Sequence, residues 1–454
     1  MVILRPRNLL NIRLLRIYSL KNSQRLQYAA EIIFRTILGI DYEIIVVSED
    51  SKMNLIETHG DPILLYGFKK DSYISIPDDG LLFENDILKK NANLSSGPIP
   101  KIYFNGHAFP EYSVDFDILS ALFYMVTQYE YYHSNMYDEH GRHVKSKDSS
   151  DRDEWQSLPI AEIYANHVLQ MLRSVYPTIN QTVKEFEYKI TFDIDNPFLY
   201  KHKSLAITLG SLIKKLLSLK WNSVAKHVWV LLGGEDPYDV FDYIIKRVPK
   251  DKILFFFLIN RKTRHDSRHT HKTKEYADLI KKISESGIET GIHPSYSSYR
   301  DKEMIQEEIS LLEKMSKVKV TNSRMHFLKY RLPDTFEYLN EAGISDDYTI
   351  CPIHHTGYKS YMARPYKWFD LSKNMISRLT LHPTMVMDRG LQKYMQLNPD
   401  DAWLEIKSLI DLTRSYKGVF TILFHNDSLS ETGEWKGWKM VFENTILYLS
   451  GKNQ

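Results

Sequence analysis

Short apolar runs that alternate with amphipathic patterns fill the chain from residue 186 onwards. The runs have the length and apolar content of buried strands, and they are 188–192, 253–259, 287–292, 319–328 and 419–424. Helical patterns lie between them at 237–247, 273–286, 301–316 and 402–415. This alternation over about 265 residues predicts an α/β fold, either a doubly wound sheet or a barrel. No glycine-rich turn follows the first strand, which favours the barrel.

The first 185 residues have a separate pattern. A helix is predicted from about residue 25, ended by Gly39 and followed by a β-branched strand from Tyr42. Further strands are predicted at 63–66 and 102–104, and further helices at 116–132 and 161–175. The polar, serine-containing stretch 135–155 is typical of an exposed loop. We therefore predict a smaller α/β domain over 1–185, packed on the barrel of 186–454 without contributing to catalysis.

Composition excludes several classes of protein. The 59 basic and 57 acidic side chains give a net charge of +2, so no strong field favours nucleic acid. A single cysteine, Cys351, excludes an intrachain disulfide framework and a cysteine-rich zinc module. No apolar run approaches the roughly 18 residues that a transmembrane helix needs. Without an apolar segment typical of a secretory signal, we expect a cytoplasmic protein.

The N-terminus is basic. Arg5, Arg7, Arg13 and Arg16 precede the first acidic residue, Glu31. One interpretation is a basic amphipathic helix that associates weakly with a membrane surface, and the other is an ordinary packed or irregular start.

Polar residues follow several predicted strands, and catalytic side chains of (β/α) barrels lie where strands end. Asp193 and Asp195 are two apart at the end of the first strand, so they point to the same side. One of them could bind a metal while the other acts as a base. Alternatively, both are turn formers beside Pro197.

Three later runs also end in residues that suit a site. His293 follows 287–292, where it is either a metal ligand or a hydrogen-bonded structural histidine. Arg324 and His326 are two apart and share one face of their run, and His425 ends the last one. Such residues at four strand ends favour one shared site over separate structural roles. The histidine-rich loop 264–271 is interpreted instead as a solvated loop.

In this order the residues resemble the motifs of polysaccharide deacetylases, the NodB-like proteins of carbohydrate esterase family 4. TFDID (191–195) is similar to the motif Thr-Phe-Asp-Asp, in a form with one residue between the aspartates. ETGIH (289–293) is similar to Glu-x-Gly-x-His, and LFH (423–425) to Leu-x-His. Arg324 stands where the third motif has its arginine. The resemblance covers about residues 186–450.

Longer stretches resemble a bacterial branch of this family that has an added N-terminal domain. They are TQYEYY (127–132), DEHGR (138–142), DPYDVFDY (236–243), GIHPSYSS (291–298), SRMHFLK (323–329), VMD (386–388) and SLSETGEWKGW (428–438). The resemblance implies a distorted (β/α) barrel of the NodB-like type with about seven strands, preceded by the smaller α/β domain.

The resemblance also implies a function, which is metal-dependent removal of an acyl group, such as acetyl, from an amino sugar or glycan precursor. Asp193 would be the general base, Arg324 would orient it, and His425 would protonate the leaving group. Asp195 and His293 would bind the metal. One carboxylate and imidazole nitrogen suit Zn²⁺, or else Co²⁺ or Ni²⁺, better than Ca²⁺. The expected partner is a carbohydrate substrate.

The chain departs from the family pattern at two informative positions. Ser297 stands where most members have a second metal histidine, so either His326 or a water supplies the third ligand, or the set is incomplete. Lys359 stands where this branch has an arginine, which keeps the charge but loses the planar fork. The residues predicted to contact the substrate are Asp388, Lys359, Trp435 and Trp438.

These departures leave two alternative functions open. One is a catalytically weak or silent carbohydrate-binding or assembly protein, as Ser297 and Lys359 suggest. The other is a related hydrolase of C–N bonds, a deformylase or an amidase.

Overall fold

The computed structural model describes residues 14–48, 61–90, 92–143, 154–203, 205–219, 221–266 and 269–451. Arg5, Arg7 and Arg13 of the basic start, and residues 144–153 of the predicted loop, lie outside these ranges. Within them, no helix is both long and apolar enough to cross a membrane.

A four-stranded parallel sheet forms the N-terminal region, in the order β2-β1-β3-β4. Its strands are β1 (Leu15–Ser19), β2 (Tyr42–Val46), β3 (Ile63–Tyr66) and β4 (Ile74–Ile76). A small antiparallel pair, β5 (Asn93–Ser95) and β6 (Lys101–Tyr103), follows. The helices are α1 (Gln24–Ala30), continued by a π-helical turn over Glu31–Ile37, α2 (Ile118–Val126) and α3 (Ile160–Val175).

The predicted end of the first helix at Gly39 is confirmed, and its cause is local. Gly39 has a φ of 64°, and a Cβ there would lie 2.3 Å from the Thr182 carbonyl oxygen. Only glycine fits this left-handed position so close to another backbone segment.

A nine-stranded sheet forms the second region, in the order β12-β13-β11-β10-β9-β8-β7-β15-β14. Every neighbouring pair is parallel except β12 with β13. The strands are β7 (Glu187–Ile194), β8 (Ile253–Phe257), β9 (Glu289–Ile292), β10 (Asn322–Ser323), β11 (Asp346–Asp347), β12 (Tyr366–Asp370), β13 (Met375–Leu381), β14 (Val386–Met387) and β15 (Val419–His425).

One segment, residues 380–387, closes this sheet into a barrel. On one side, the amides of Thr380, His382 and Thr384 donate to carbonyls in β11 or within three residues of it, at 2.7–2.9 Å. On the other side, the Met385 amide donates to the Thr421 carbonyl at 2.9 Å, and β14 pairs with β15. We call residues 380–387 the seam segment. Because β13 and β14 are two parts of one wall element, the barrel has seven elements with β12 outside them, which confirms the predicted distorted barrel.

Helices surround the barrel, and each of the four predicted helical patterns corresponds to one of them. They are α4 (Leu205–Leu217), α5 (Trp221–Leu231), α6 (Phe241–Ile245), α7 (Lys274–Glu285), α8 (Lys302–Ser316), α9 (Asp334–Glu341), α10 (Pro399–Ser415) and α11 (Trp438–Leu449). The predicted strand 319–328 is mostly wrong. Only residues 322–323 pair, because the chain then turns through His326–Leu328, where Phe327 and Leu328 have φ values of 60° and 55°.

The N-terminal region packs closely on the barrel. One continuous apolar cluster runs from Leu15 in β1 to Leu449 in α11. The buried Glu162 of α3 accepts a hydrogen bond from the Arg364 Nε at 3.0 Å, and a second from the Ala363 amide at 3.1 Å. This interface is therefore core-like, although the two sheets share no strand.

Candidate metal centre

The carboxyl ends of the parallel strands open into one cavity of about 240 Å³. Asp193 lies in β7 and Asp195 directly follows it, His293 follows β9, His326 follows β10, and His425 ends β15. All five line this cavity. The strand ends that the sequence singled out thus meet in one place, as expected for a parallel barrel.

Three of these residues form a cluster that could hold a metal ion. One ligand atom each from Asp195, His293 and His326 lies within 4.8 Å of the others. The Asp195 Oδ1 is 3.4 Å from the His293 Nε2 and 3.7 Å from the His326 Nε2. That oxygen is buried and has no hydrogen-bond partner among the described residues.

A divalent cation fits this donor set. An orphaned carboxylate oxygen beside two imidazole nitrogens is costly without a partner and matches the ligand preference of zinc. Burial opposes ionisation of Asp195, but His326, His293 and His425 together hold its pKa well below the usual range.

In both histidines of the cluster, the ring nitrogen that faces away from it has a hydrogen-bond acceptor nearby. The His293 Nδ1 lies 2.6 Å from the Arg324 carbonyl oxygen, and the His326 Nδ1 lies 3.3 Å from the Asp266 Oδ1. With Nδ1–H donating to these acceptors, each Nε2 lone pair faces the cluster, which is the arrangement typical of metal-bound imidazoles.

Asp266 is itself fixed by backbone amides. Its Oδ1 accepts from the Tyr296 amide at 2.7 Å, and its Oδ2 accepts from the Thr263 amide at 2.7 Å. Burial opposes its charge, but His326 and these amides lower the pKa of Asp266 to about 2. Asp266 is therefore ionised near neutral pH and can accept a hydrogen bond from the His326 Nδ1.

Asp193 lies beside the cluster and is tied to a fully buried arginine. The Arg324 Nη1 donates to the Asp193 Oδ1 at 3.0 Å and to the Thr191 hydroxyl at 2.8 Å. Its Nε donates to the Tyr348 carbonyl, and its Nη2 to the Thr384 hydroxyl, both at 3.0 Å. Arg324 therefore has a fixed position, and it holds one oxygen of Asp193 while the other faces the cavity.

His425 lies near the other oxygen of Asp195, with its Nε2 3.8 Å from the Asp195 Oδ2. Its Nδ1 is 2.8 Å from the Asp388 Oδ1, and its amide donates to the Asp388 Oδ2 at 2.6 Å. Burial alone would lower the pKa of His425, but the Asp388 carboxylate raises it to about 9. The imidazole is therefore oriented and protonated near neutral pH.

Four residues predicted to contact a substrate are placed elsewhere by the structure. Asp388 is buried behind His425 and positions that ring. Lys359 is also buried, 5.2 Å from the centre of the Tyr330 ring, and does not line the cavity. Trp435 and Trp438 are 2% and 4% exposed and pack edge to face in the core. The predicted carbohydrate-facing tryptophan surface is therefore not formed.

His326 lies where it could supply the third ligand that Ser297 left open. The Ser297 hydroxyl lies 3.7 Å from the Met304 Sδ, and Ser297 does not line the cavity. The cluster thus includes the residue two positions after Arg324 and not residue 297.

The sequence interpretation missed three residues at the site. Asp266 lies in the loop interpreted as solvated, and only the proximity of that loop to His326 reveals its role. Arg389 follows the VMD motif, lines the cavity and donates to the Asp427 Oδ2 at 2.6 Å. Arg142, of the DEHGR motif, also lines the cavity, so the N-terminal region supplies part of its wall.

The comparisons with known proteins describe the two regions separately. Residues 15–177 match the model of a family of unknown function, DUF7033. No curated protein matches the chain.

The chain is structurally similar to polysaccharide deacetylases of carbohydrate esterase family 4 across about 60% of its length. One such structure is a "putative polysaccharide deacetylase" from Mycobacterium smegmatis, with 15% identity and a TM-score of 0.37, covering 58% of this chain and 84% of that one. Another is the polysaccharide deacetylase Bc1974 from Bacillus cereus, with 15% identity and a TM-score of 0.28, covering 59% and 89%.

A third similar structure is BA3943, a CE4 family pseudoenzyme from Bacillus anthracis. It has 10% identity and a TM-score of 0.29, covering 59% of this chain and 62% of that one. At such identities the likeness concerns the fold alone, so the chemistry of this chain rests on its own residues.

Proposed function

We propose that this chain is a metal-dependent hydrolase that removes an acyl group, acetyl in the first instance, from an amino sugar or glycan precursor. The observation that carries the proposal is the cluster of Asp195, His293 and His326 with Asp193 and His425 beside it. A ligand set, a base and an acid thus surround one cavity.

Asp195, His293 and His326 would hold the metal, and Zn²⁺ suits their mixture of oxygen and nitrogen best. When bound, a divalent ion supplies Lewis-acid polarisation of the acyl group and makes the attacking water more acidic.

Asp193 is placed to accept the proton of that water. Arg324 occupies one of its oxygens at 3.0 Å, so the other oxygen remains available to the cavity. A base held in one orientation by a fully buried arginine needs little reorganisation when the proton moves.

His425 is placed to donate a proton from its Nε2 to the leaving nitrogen or oxygen. Asp388 holds its Nδ1 at 2.8 Å, so Nε2 is the atom that faces the cavity. The pairing of imidazole and carboxylate both orients the ring and stabilises its protonated form.

The rest of the cavity suits a polar, ring-shaped substrate. Asn196, Arg142 and Arg389 offer hydrogen-bond donors, while Tyr394 and Phe327 offer ring faces. Most of the lining side chains are polar or charged, which suits a substrate rich in hydroxyl groups.

The test uses the purified full-length chain. Metal content is measured first, and then acetate release from N-acetylated amino sugars is followed with the native metal, after chelation, and after Zn²⁺ is restored. We expect about one metal per chain and acetate release that disappears and returns with the metal, while Asp193→Asn stays inactive throughout.

A parallel assay measures formate release from N-formylated amino sugars. Release of formate without acetate would mean that the chain is a deformylase and not a deacetylase. A fully metallated chain that releases neither product from a broad panel would contradict the proposal and favour the silent binding protein.

A further inference from the structure

Two helices that leave the barrel at its mouth form a hairpin with unusual surface chemistry. α4 and α5 are inserted between β7 and β8 and pack against each other. We call residues 205–232 the helical hairpin. Nineteen large apolar residues are strongly exposed among the described residues, and ten of them lie between 209 and 232.

The exposed apolar residues of α4 lie on one face. Leu209, Ile213, Leu216 and Leu217 are 59%, 55%, 40% and 80% exposed. Their spacing of four, seven and eight residues is that of a single helical stripe. A stripe of this kind ordinarily packs on a core, but here it faces outward.

α5 repeats the arrangement. Trp221, Val228 and Trp229 are 62%, 42% and 53% exposed, and Leu232, just after the helix, is 82% exposed. Their spacing of seven, eight and eleven residues again defines one face. Two adjacent helices with outward apolar stripes form a patch, which is unlike the scattered single apolar residues of ordinary surfaces.

A polar cluster lies on the inner side of the hairpin. The Lys215 Nζ lies 3.2 Å from the His227 Nδ1 and 3.9 Å from the centre of the Tyr200 ring. The His227 ring stacks on Tyr200 at 4.3 Å. Burial and the nearby Lys215 lower the pKa of His227 to about 4, so the ring is neutral. The hairpin therefore holds a polar cluster on its inner side beside the buried Val230, while its outward stripes are apolar.

The charge of this segment has one sign. No acidic residue occurs between Asp195 and Glu235, whereas six lysines do: Lys201, Lys203, Lys214, Lys215, Lys220 and Lys226. The segment is thus strongly basic in a chain whose net charge is only +2. Its partner should combine an apolar layer with negative charge.

The base of the hairpin is fixed to the candidate site. The Asp236 carboxylate accepts from the amides of Leu199, Tyr200 and Lys201 at 2.8–2.9 Å, which joins the two ends of the insertion. Asn426, directly after His425, donates to the carbonyls of Asn196 and Tyr238 at 2.9 and 3.0 Å. The hairpin therefore starts at the same end of the barrel as the cavity.

We propose that the helical hairpin is a peripheral membrane-binding element, which inserts its apolar stripes into the interface of an anionic lipid bilayer. Helices with an apolar face, lysines and tryptophan are the type that lies in this interface. A lysine beside an apolar stripe, such as Lys214, can keep its stem at the apolar layer while its ammonium group reaches the headgroups.

Charge decides between a bilayer and a second copy of this chain. A symmetric dimer through the hairpin would bring two lysine-rich surfaces together, so like charges would oppose each other. An anionic leaflet attracts the same lysines. The observations therefore favour the membrane.

The test measures vesicle co-sedimentation of the full-length chain. Vesicles contain phosphatidylcholine alone or with about a third phosphatidylglycerol. We expect binding to the anionic vesicles that weakens as salt rises, because salt screens the lysines. The variant Leu217→Ser, Trp229→Ser, Leu232→Ser should bind about 10-fold more weakly or worse.

A matched variant controls for the general loss of exposed apolar area. Val46→Ser, Met375→Ser, Leu404→Ser changes three residues that are 55%, 50% and 60% exposed elsewhere, and it should bind like the wild type. Lys214→Gln, Lys226→Gln should weaken binding only to the anionic vesicles, by about 10-fold.

Three outcomes would overturn the proposal. The first is no binding to anionic vesicles. The second is equal binding by the wild type and the hairpin variant, with the loss appearing instead in Arg5→Ser, Arg7→Ser, Arg13→Ser. The third is a lipid-free dimer, seen by light scattering, that the hairpin variant abolishes while vesicles are not bound. None of these measurements uses turnover, so the proposal stands or falls independently of the deacetylase assay.

Discussion

The barrel mouth and the helical hairpin both depart from the usual distribution of side chains, in which charged residues are exposed and large apolar residues are buried. The mouth buries charged residues such as Asp193, Arg324 and Asp388, whereas the hairpin exposes large apolar residues such as Leu217 and Trp229. Buried charges are retained when each has a partner, and in the mouth Asp193 and Arg324 are partners of each other. The Asp195 Oδ1, in contrast, has no hydrogen-bond partner within the part of the chain that the structure describes. In both regions these unmatched atoms motivate a proposal, a cation at the mouth and an anionic lipid layer at the hairpin.

The largest expected effect is loss of the metal. His293→Ala removes one ligand and should reduce bound zinc from about one per chain to none, with loss of acetate release. His326→Ala should do the same, because it supplies the third ligand. Metal analysis after dialysis checks both.

His382→Ala is the matched control for these two variants, since its Nε2 also lies near a carboxylate, that of Asp346, at 2.7 Å, but outside the cluster. It should keep the metal. Ser297→His in the His326→Ala background should not restore the metal, because Ser297 contacts Met304 and does not line the cavity. Full zinc binding by His293→Ala would remove the proposed site.

Next in size is the loss of the base. Asp193→Asn should lower turnover by about 10²–10⁴-fold while the metal content stays unchanged, because a base is lost and not a ligand. Steady-state kinetics and metal analysis on the same sample test this. If instead Asp193→Asn loses metal and Asp195→Asn keeps full activity, the two carboxylates have the opposite roles.

A smaller effect on zinc affinity is expected for a change at Asp266, which contacts the proposed ligand His326. Asp266→Ala removes the acceptor for the His326 Nδ1 and should weaken zinc affinity by about 10–100-fold. Calorimetric titration measures it. Asp346→Ala removes the corresponding carboxylate from His382 and should leave zinc affinity unchanged. Equal affinities for Asp266→Ala and the wild type would mean that His326 does not depend on this carboxylate.

The smallest effect concerns stability at the hairpin. The variant Leu217→Ser, Trp229→Ser, Leu232→Ser should change the free energy of unfolding by about 0.5 kcal/mol or less at each position, because these side chains are largely exposed already. Phe442→Ala, in contrast, removes a fully buried ring that contacts Phe192 and Phe424, and it should cost about 3–5 kcal/mol. Urea unfolding compares the two, and a similar loss in both would show that the hairpin stripes support the fold.

The sequence predicted the mouth well because strand ends are informative. In a parallel barrel all the carboxyl ends meet, so Asp193, Asp195, His293 and His425 could be assigned to one place without coordinates. The third ligand stayed open, because His326 lies beyond a two-residue strand in a turn whose left-handed residues Phe327 and Leu328 have no sequence signal. Asp266 was missed because it belongs to a loop, and the sequence of a loop does not show which residues of other segments lie close to it.

The hairpin escaped prediction for a different reason. An apolar stripe indicates a helix and its apolar face, but not what covers that face. The lack of acidic residues between Asp195 and Glu235 is visible in the sequence. Its meaning depends on the exposure of Leu217 and Trp229, which only the structure provides.

The seam segment limits where residues can be inserted into the barrel without disturbing the candidate site. It contributes Thr384, which holds Arg324, and it leads to Asp388, which holds His425. Thr384 lies just before β14, whereas Asp388 begins the helical turn that follows this strand. One residue inserted before Thr384 would shift the register of this segment against β11 and β15, so both supports would be displaced from the cavity together. An insertion in the α4–α5 turn would alter neither, so homologues should vary freely in length at the hairpin and keep the spacing of the seam constant.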